Sequence, residues 1–182
     1  MTLQNYTIYQ KHLVSIDFYE DLSFNKELLK YIDTVNWENS YKTNLMSEMS
    51  GWKVSHPLID KLISWVIKSL VESRPHLNFE TYSYHVHEIW VARYNKHDFA
   101  YKHSHGTYPF SFVYFVNSFP ESSNLCFSES NLDITPDIGK LVIFPGNIQH
   151  HVSPNMSDNR VVIAGNIIVL HKNEIIEIKH HE

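Results

Sequence analysis

The sequence has 182 residues, 43% hydrophobic and 14% aromatic, with only 5 Gly and a net charge of -5. That size supports one domain with a sizeable core, and that composition argues against intrinsic disorder and favours a β-rich body. No Lys/Arg run points to nucleic acid as a standing partner, and no apolar run approaches the roughly 20 residues of a membrane span.

The N-terminus lacks the basic-then-apolar pattern of a secretory signal. A lone Cys126 excludes an intramolecular disulfide and fits a reducing compartment, so a cytoplasmic location is expected. Residues 7–19 alternate loosely and predict a strand. Residues 23–36 predict a helix with Ser23 or Asn25 as cap, and residues 37–56 are polar and irregular. Residues 57–72 carry the clearest helical pattern, with Ser55 as cap and Pro57 in the first turn. Its stripe of Leu58, Ile59, Leu62, Ile63, Val66 and Leu70 predicts packing against a sheet.

From residue 78 the period shortens. Segments 79–94, 110–117, 123–128, 139–144, 161–170 and 174–179 are rich in Val, Ile, Phe and Tyr, and turn residues separate them. Short strands at this spacing predict an antiparallel sandwich or barrel. The expected plan is α+β but mainly β, a jelly roll at 78–179 preceded by a strand and helices at 1–77. The whole forms one domain, with the helices on the larger sheet.

The chain holds 13 His, and only His180 and His181 are terminal. His103 and His105 lie two apart on an extended segment, so both face one side and can address one ion. His150-His151 follows an apolar strand, and Arg160 opens the next one. Two nearby ligands plus a distant His make a facial three-ligand site with open positions for a chelating co-substrate and O2. An Arg beyond the distal His can hold a carboxylate bidentately, which Lys cannot. Taken singly, an H-x-H pair, a His-His dipeptide or an Arg at a strand start is common on ordinary surfaces. Their order on one β body is what points to a site.

At these residues the sequence resembles the 2-oxoglutarate/Fe(II) oxygenases, and among them the small members found in marine bacteria and phages, relatives of the prolyl 4-hydroxylases. The resemblance rests on Gly51-Trp52, Arg93-Tyr94 followed by His103-Ser104-His105, and Ser111-Phe112-Val113-Tyr114-Phe115. It continues through Leu125-Cys126-Phe127, Gly139 to Pro145, His150-His151-Val152-Ser153-Pro154 and Arg160. It implies a double-stranded β-helix and an enzyme using Fe(II), 2-oxoglutarate and O2. The implied reaction is oxidative decarboxylation to succinate and CO2 coupled to hydroxylation of an unknown primary substrate, a small molecule or a protein side chain. By the same resemblance His103 and His150 are iron ligands, Arg160 holds the C5 carboxylate of 2-oxoglutarate, and Tyr94 assists it. The H-x-V-x-P register selects His150 over His151.

His105 stands where most members of the superfamily carry Asp or Glu. Three readings stay open: His105 is the third ligand; it lies beside the co-substrate at a two-His centre; or an acid such as Asp98 or Glu129 completes the set. A cupin-type three-His dioxygenase without 2-oxoglutarate and a non-catalytic ligand-binding jelly roll are the alternatives. Trp52 and Trp90 are expected in packing or cavity walls, His85 and His87 away from metal, and Cys126 as a small buried apolar group. Association into a homodimer stays open. Specificity is expected in loops 38–50, 104–109 and 118–123.

Overall fold

The computed structural model describes residues 14–39 and 43–173. Among the described residues two helices, α1 (Ser23–Ile32) and α2 (Pro57–Ser73), accompany twelve strands. These are β1 (Ser15–Phe18), β2 (Glu38–Asn39), β3 (Leu45–Met46), β4 (Glu48–Met49), β5 (Tyr82–Tyr94) and β6 (Phe99–His103). The rest are β7 (Phe110–Asn117), β8 (Leu125–Phe127), β9 (Leu132–Ile134), β10 (Lys140–Pro145), β11 (His150–Val152) and β12 (Arg160–His171). They form a seven-stranded sheet in the order β1-β10-β7-β12-β5-β4-β2 and a five-stranded sheet in the order β3-β6-β11-β8-β9. The paired strands run antiparallel, giving the expected jelly roll.

Period-2 alternation divides the large sheet between two cores. Ile89, Val91, Tyr114, Leu141, Ile143, Val161 and Ile163 face the helices. Trp90, Ala92, Tyr94, Val113, Phe115, Val142, Phe144, Val162 and Ala164 face the small sheet, where they meet Ala100, Leu125, Phe127, Ile134 and Val152. On α2 the stripe packs on the sheet as its spacing predicts, with Ile59, Leu62, Val66 and Leu70 all fully buried. Each contributes about 1.5–3 kcal/mol of apolar burial.

Several local expectations are corrected. The first helix stops at Ile32 because Asp33, Thr34 and Val35 close tight turns, and the Thr34 hydroxyl donates to the Tyr31 carbonyl at 2.7 Å. Neither Ser23 nor Asn25 caps it; Asp21 accepts from the Ser23 amide and hydroxyl instead. Asn25 is buried and ties α1 to β7, accepting from the Tyr114 hydroxyl at 2.6 Å and donating to the Val116 carbonyl at 2.9 Å. The cap of α2 is His56 rather than Ser55, its Nδ1 accepting from the Leu58 amide at 3.2 Å. Residues 37–56 hold three short strands. The strands expected over 7–13 and 174–179 lie outside the described residues. Among the described residues no helix is long and apolar enough to cross a membrane.

Candidate active site

The small sheet brings the three histidines together. His103 ends β6 and His150 opens β11, and the two are direct cross-strand partners. His105 lies just beyond β6, its amide donating to the Gly146 carbonyl at 2.7 Å. Gly146 is required there, because an added Cβ would overlap the Tyr108 carbonyl oxygen. One ring nitrogen from each of His103, His105 and His150 falls within 4.8 Å of the others, and this is the one such group with metal-ligating chemistry among the described residues.

The ring orientations are fixed from behind. His103 Nδ1 lies 2.6 Å from the Tyr101 carbonyl and His150 Nδ1 lies 3.0 Å from the Ile148 carbonyl. A carbonyl can only accept, so both Nδ1 atoms carry the proton and both Nε2 lone pairs are left for a metal. His105 Nε2 lies 3.3 Å from His150 Nε2. Two imidazoles bound to one metal at about 2.0–2.1 Å place their nitrogens about 2.8–3.4 Å apart for angles between octahedral and tetrahedral. The donor set therefore fits a transition metal.

The electrostatics agree. Burial, then the neighbouring His103, hold the His105 imidazole down to about 4, with Glu88 pulling the other way. Burial, then His103, bring His150 down to about 3. Burial also lowers His103, against the upward pull of the Tyr101 carbonyl. All three are neutral at neutral pH, which is the metal-binding form.

Across the gap, Arg160 opens β12 opposite Tyr94 at the end of β5. Arg160 is 1% exposed. Its guanidinium sits 4.7 Å from the Tyr94 ring centre and 5.4 Å from that of Phe115. Its Nε and Nη1 have no hydrogen-bond partner, and it forms no ion pair among the described residues. A buried cation without an anion costs several kcal/mol. The two free donors of Arg160 are of the kind that pair with a carboxylate. His103, His105, His150, Tyr94 and Arg160 all line one pocket between the sheets, with Trp90 on its wall.

Other expectations sort plainly. Asp98 accepts from the Asn95 amide at 2.8 Å in the β5–β6 turn, and Glu129 is exposed, so neither joins the histidines. His151 turns to the outer side and pairs with the Ser128 hydroxyl. His85 and His87 are exposed on β5 and outside the cluster. Trp90 is 3% exposed, whereas Trp52 is 45% exposed, so only the first is a packed wall. Cys126 is buried. Sequence reasoning passed over Asn155, which is fully buried. It ties the loop before β12 to the end of β5, donating to the Tyr94 carbonyl at 3.2 Å and accepting from the Ser123 amide at 2.9 Å. An Asn between Pro154 and a Ser-Asp turn looks like ordinary loop chemistry, and only its burial reveals the role.

Searched as a sequence, the chain matches no protein-family model and no curated protein. Solved structures do match. The viral collagen prolyl hydroxylase of Paramecium bursaria Chlorella virus-1, in complex with 2-oxoglutarate, aligns with a TM-score of 0.66 at 15% identity, covering 85% of this chain and 94% of that one. The chain has the fold of the 2-oxoglutarate/Fe(II) oxygenases. A Pseudomonas putida prolyl-4-hydroxylase aligns equally well, with a TM-score of 0.66 at 15% identity over 86% of this chain and 93% of that one. HygX of Streptomyces hygroscopicus, bound to nickel and 2-oxoglutarate, gives 0.65 at 9% identity over 85% and 82%. In this oxygenase fold the pocket lies between the two sheets, with the histidine cluster on the small sheet and Arg160 on the large one.

Proposed function

We propose that the protein is a 2-oxoglutarate- and Fe(II)-dependent dioxygenase, a hydroxylase with an all-histidine iron centre. His103, His105 and His150 hold the iron, and Arg160 with Tyr94 seats the C5 carboxylate of 2-oxoglutarate. The observation that carries this reading is Arg160: a buried guanidinium with two unpartnered donors lines the same pocket as three convergent imidazoles.

Iron bound there supplies activation of O2, coupled to oxidative decarboxylation of 2-oxoglutarate to succinate and CO2 and to hydroxylation of a primary substrate. The chain's own residues prepare that chemistry. The Tyr101 and Ile148 carbonyls hold His103 and His150 in the Nε2-binding tautomer. Arg160 fixes the far end of the co-substrate, so that its 2-oxoacid end is presented to the metal. Trp90, Val113, Val152 and Val162 keep the pocket apolar and limit water. With His105 in place of a carboxylate, the centre is one charge unit more positive. Selectivity for Fe(II) against Zn2+ or Cu2+ is correspondingly weaker.

The all-histidine ligand set also suits a cupin-type dioxygenase that uses no 2-oxoglutarate. The two readings separate at Arg160, for which the cupin reading has no use. Calorimetric titration of 2-oxoglutarate into protein loaded anaerobically with Fe(II) tests this. Binding that is lost in Arg160→Met is expected; no binding to iron-loaded protein would favour the cupin-type reading.

A further inference from the structure

The pairing of β7, β12 and β5 arranges the pocket-facing side of the large sheet into rungs. Phe115, Val162 and Ala92 form one, Val113, Ala164 and Trp90 the next, and Ser111, Asn166 and Glu88 the one after. The first two are apolar. The third is a polar chain. The Ser111 hydroxyl donates to Asn166 Oδ1 at 2.8 Å, and Asn166 Nδ2 donates to Glu88 Oε2 at 2.8 Å.

Ser111 and Asn166 are almost fully buried, so this chain is expensive to maintain as mere packing. Its effect is to hold the half-buried Glu88 carboxylate in one orientation. Gly165 beside it leaves no room for change, since an added Cβ would strike the Glu88 carbonyl oxygen and the Phe112 ring.

By register Glu88 lies one rung beyond the pocket-lining Trp90, on the side away from Arg160. At about 3.4 Å per residue along β5, the Tyr94 and Glu88 rungs are roughly 20 Å apart. That is too far for the short dicarboxylate seated on Arg160 to reach. Between them stands His105, packed near Trp90 on the adjoining rung.

Aromatic rings surround the same end. Trp90 lies 5.9 Å from His105, and the 45% exposed Trp52 stands edge-on to Trp90 at 5.0 Å. The Trp52 carbonyl accepts from the Ile89 amide at 3.0 Å, which pins that segment beside β5. Tyr108, across from His87 at 6.1 Å, has its hydroxyl against Glu88.

We propose that Glu88, oriented by Asn166 and Ser111 and flanked by Trp52 and Trp90, is the recognition site for a cationic nitrogen on the primary substrate, an ammonium or guanidinium group. This rests on the pocket being the oxygenase site proposed above. The chemistry is specific: an anchored carboxylate beside indole rings attracts a cation both by charge and by the ring quadrupole. A cation held there directs the adjoining carbon chain toward His105 and the histidine cluster.

Intrinsic tryptophan fluorescence of the metal-free protein, with Trp52 and Trp90 as reporters, tests the site directly. The probes are N-acetyl-lysine amide and N-acetyl-arginine amide against N-acetyl-norleucine amide and N-acetyl-glutamine amide. Free lysine and arginine, run beside the blocked forms, distinguish a free amino acid from a side chain as the source. Cationic probes are expected to bind about tenfold more tightly than norleucine amide. Glu88→Gln should erase that preference, and Trp52→Leu, at an exposed position, should reduce it severalfold.

Equal affinity for all four probes would overturn the proposal. So would a cation preference that survives Glu88→Gln, or a Glu88→Gln variant that changes only iron affinity, which would make the carboxylate a partner of the metal. Calorimetry with 2-oxoglutarate stands apart from these outcomes. Loss of 2-oxoglutarate binding with the cation preference intact would sink the oxygenase reading alone.

Discussion

Arg160→Met separates a ligand-binding guanidinium from a structural one, because the two roles predict opposite changes in stability. In the ligand-free protein, Nε and Nη1 are buried without partners. Each such donor costs about 1–3 kcal/mol. Stacking on Tyr94 and Phe115 offsets about 0.5–2 kcal/mol of that. Methionine keeps much of the side-chain length and removes the donors. The ligand-free variant should therefore gain about 1–3 kcal/mol, a rise in Tm of roughly 2–10 °C for a chain of this size.

Binding should move the other way. Two charge-assisted hydrogen bonds are worth about 1.5–3 kcal/mol each, so 2-oxoglutarate affinity should fall by roughly 10²- to 10⁴-fold. Thermal melts and calorimetry on the same preparations read both effects. A Tm lowered by several degrees with 2-oxoglutarate binding within threefold of the parent would make Arg160 a structural residue and refute the reasoning.

Three further outcomes follow from the same geometry. His105→Ala should lower Fe(II) affinity by more than the roughly 10- to 100-fold typical of losing an outer partner, measured by competition with a chelating dye; an unchanged affinity would mean a two-His centre. The metal-free protein should lose stability in acid. The folded pKa of His105, about 4, lies below its unfolded value near 6.5, so the unfolded state takes up protons first. Stability is thus full above pH 6.5 and declines toward pH 4, by on the order of 3 kcal/mol for His105, in denaturant titrations across that range. Asn25→Ala should cost about 2–4 kcal/mol in chemical unfolding, since it strands the Tyr114 hydroxyl and the Val116 carbonyl in the core; a loss under 1 kcal/mol would show that water replaces it.

Much of this was legible in the sequence because the signals are local. The apolar run 110–117 and the stripe of α2 come from periodicity that tertiary contacts merely complete. His103 and His105 share a face by spacing alone. The strands β9 and β11 were not legible, being short and held by pairing rather than by their own pattern. The same holds for the Ser111-Asn166-Glu88 chain. Its members lie on three strands, and only the register of β7, β12 and β5 brings them side by side. Asn25 and Ser55 were misread for a related reason: one turned inward to the sheet, and the other yielded its expected cap to the neighbouring His56.

The central claim is that three imidazoles and Arg160 form one seat for iron and 2-oxoglutarate. Anaerobic titration of metal-free protein with Fe(II) and then 2-oxoglutarate tests it most directly, through the weak visible charge-transfer band of a chelated 2-oxoacid. The band should develop to stoichiometry, vanish in His103→Ala and His150→Ala, and require far more 2-oxoglutarate in Arg160→Met. Stoichiometric iron uptake with no band at saturating 2-oxoglutarate would contradict it.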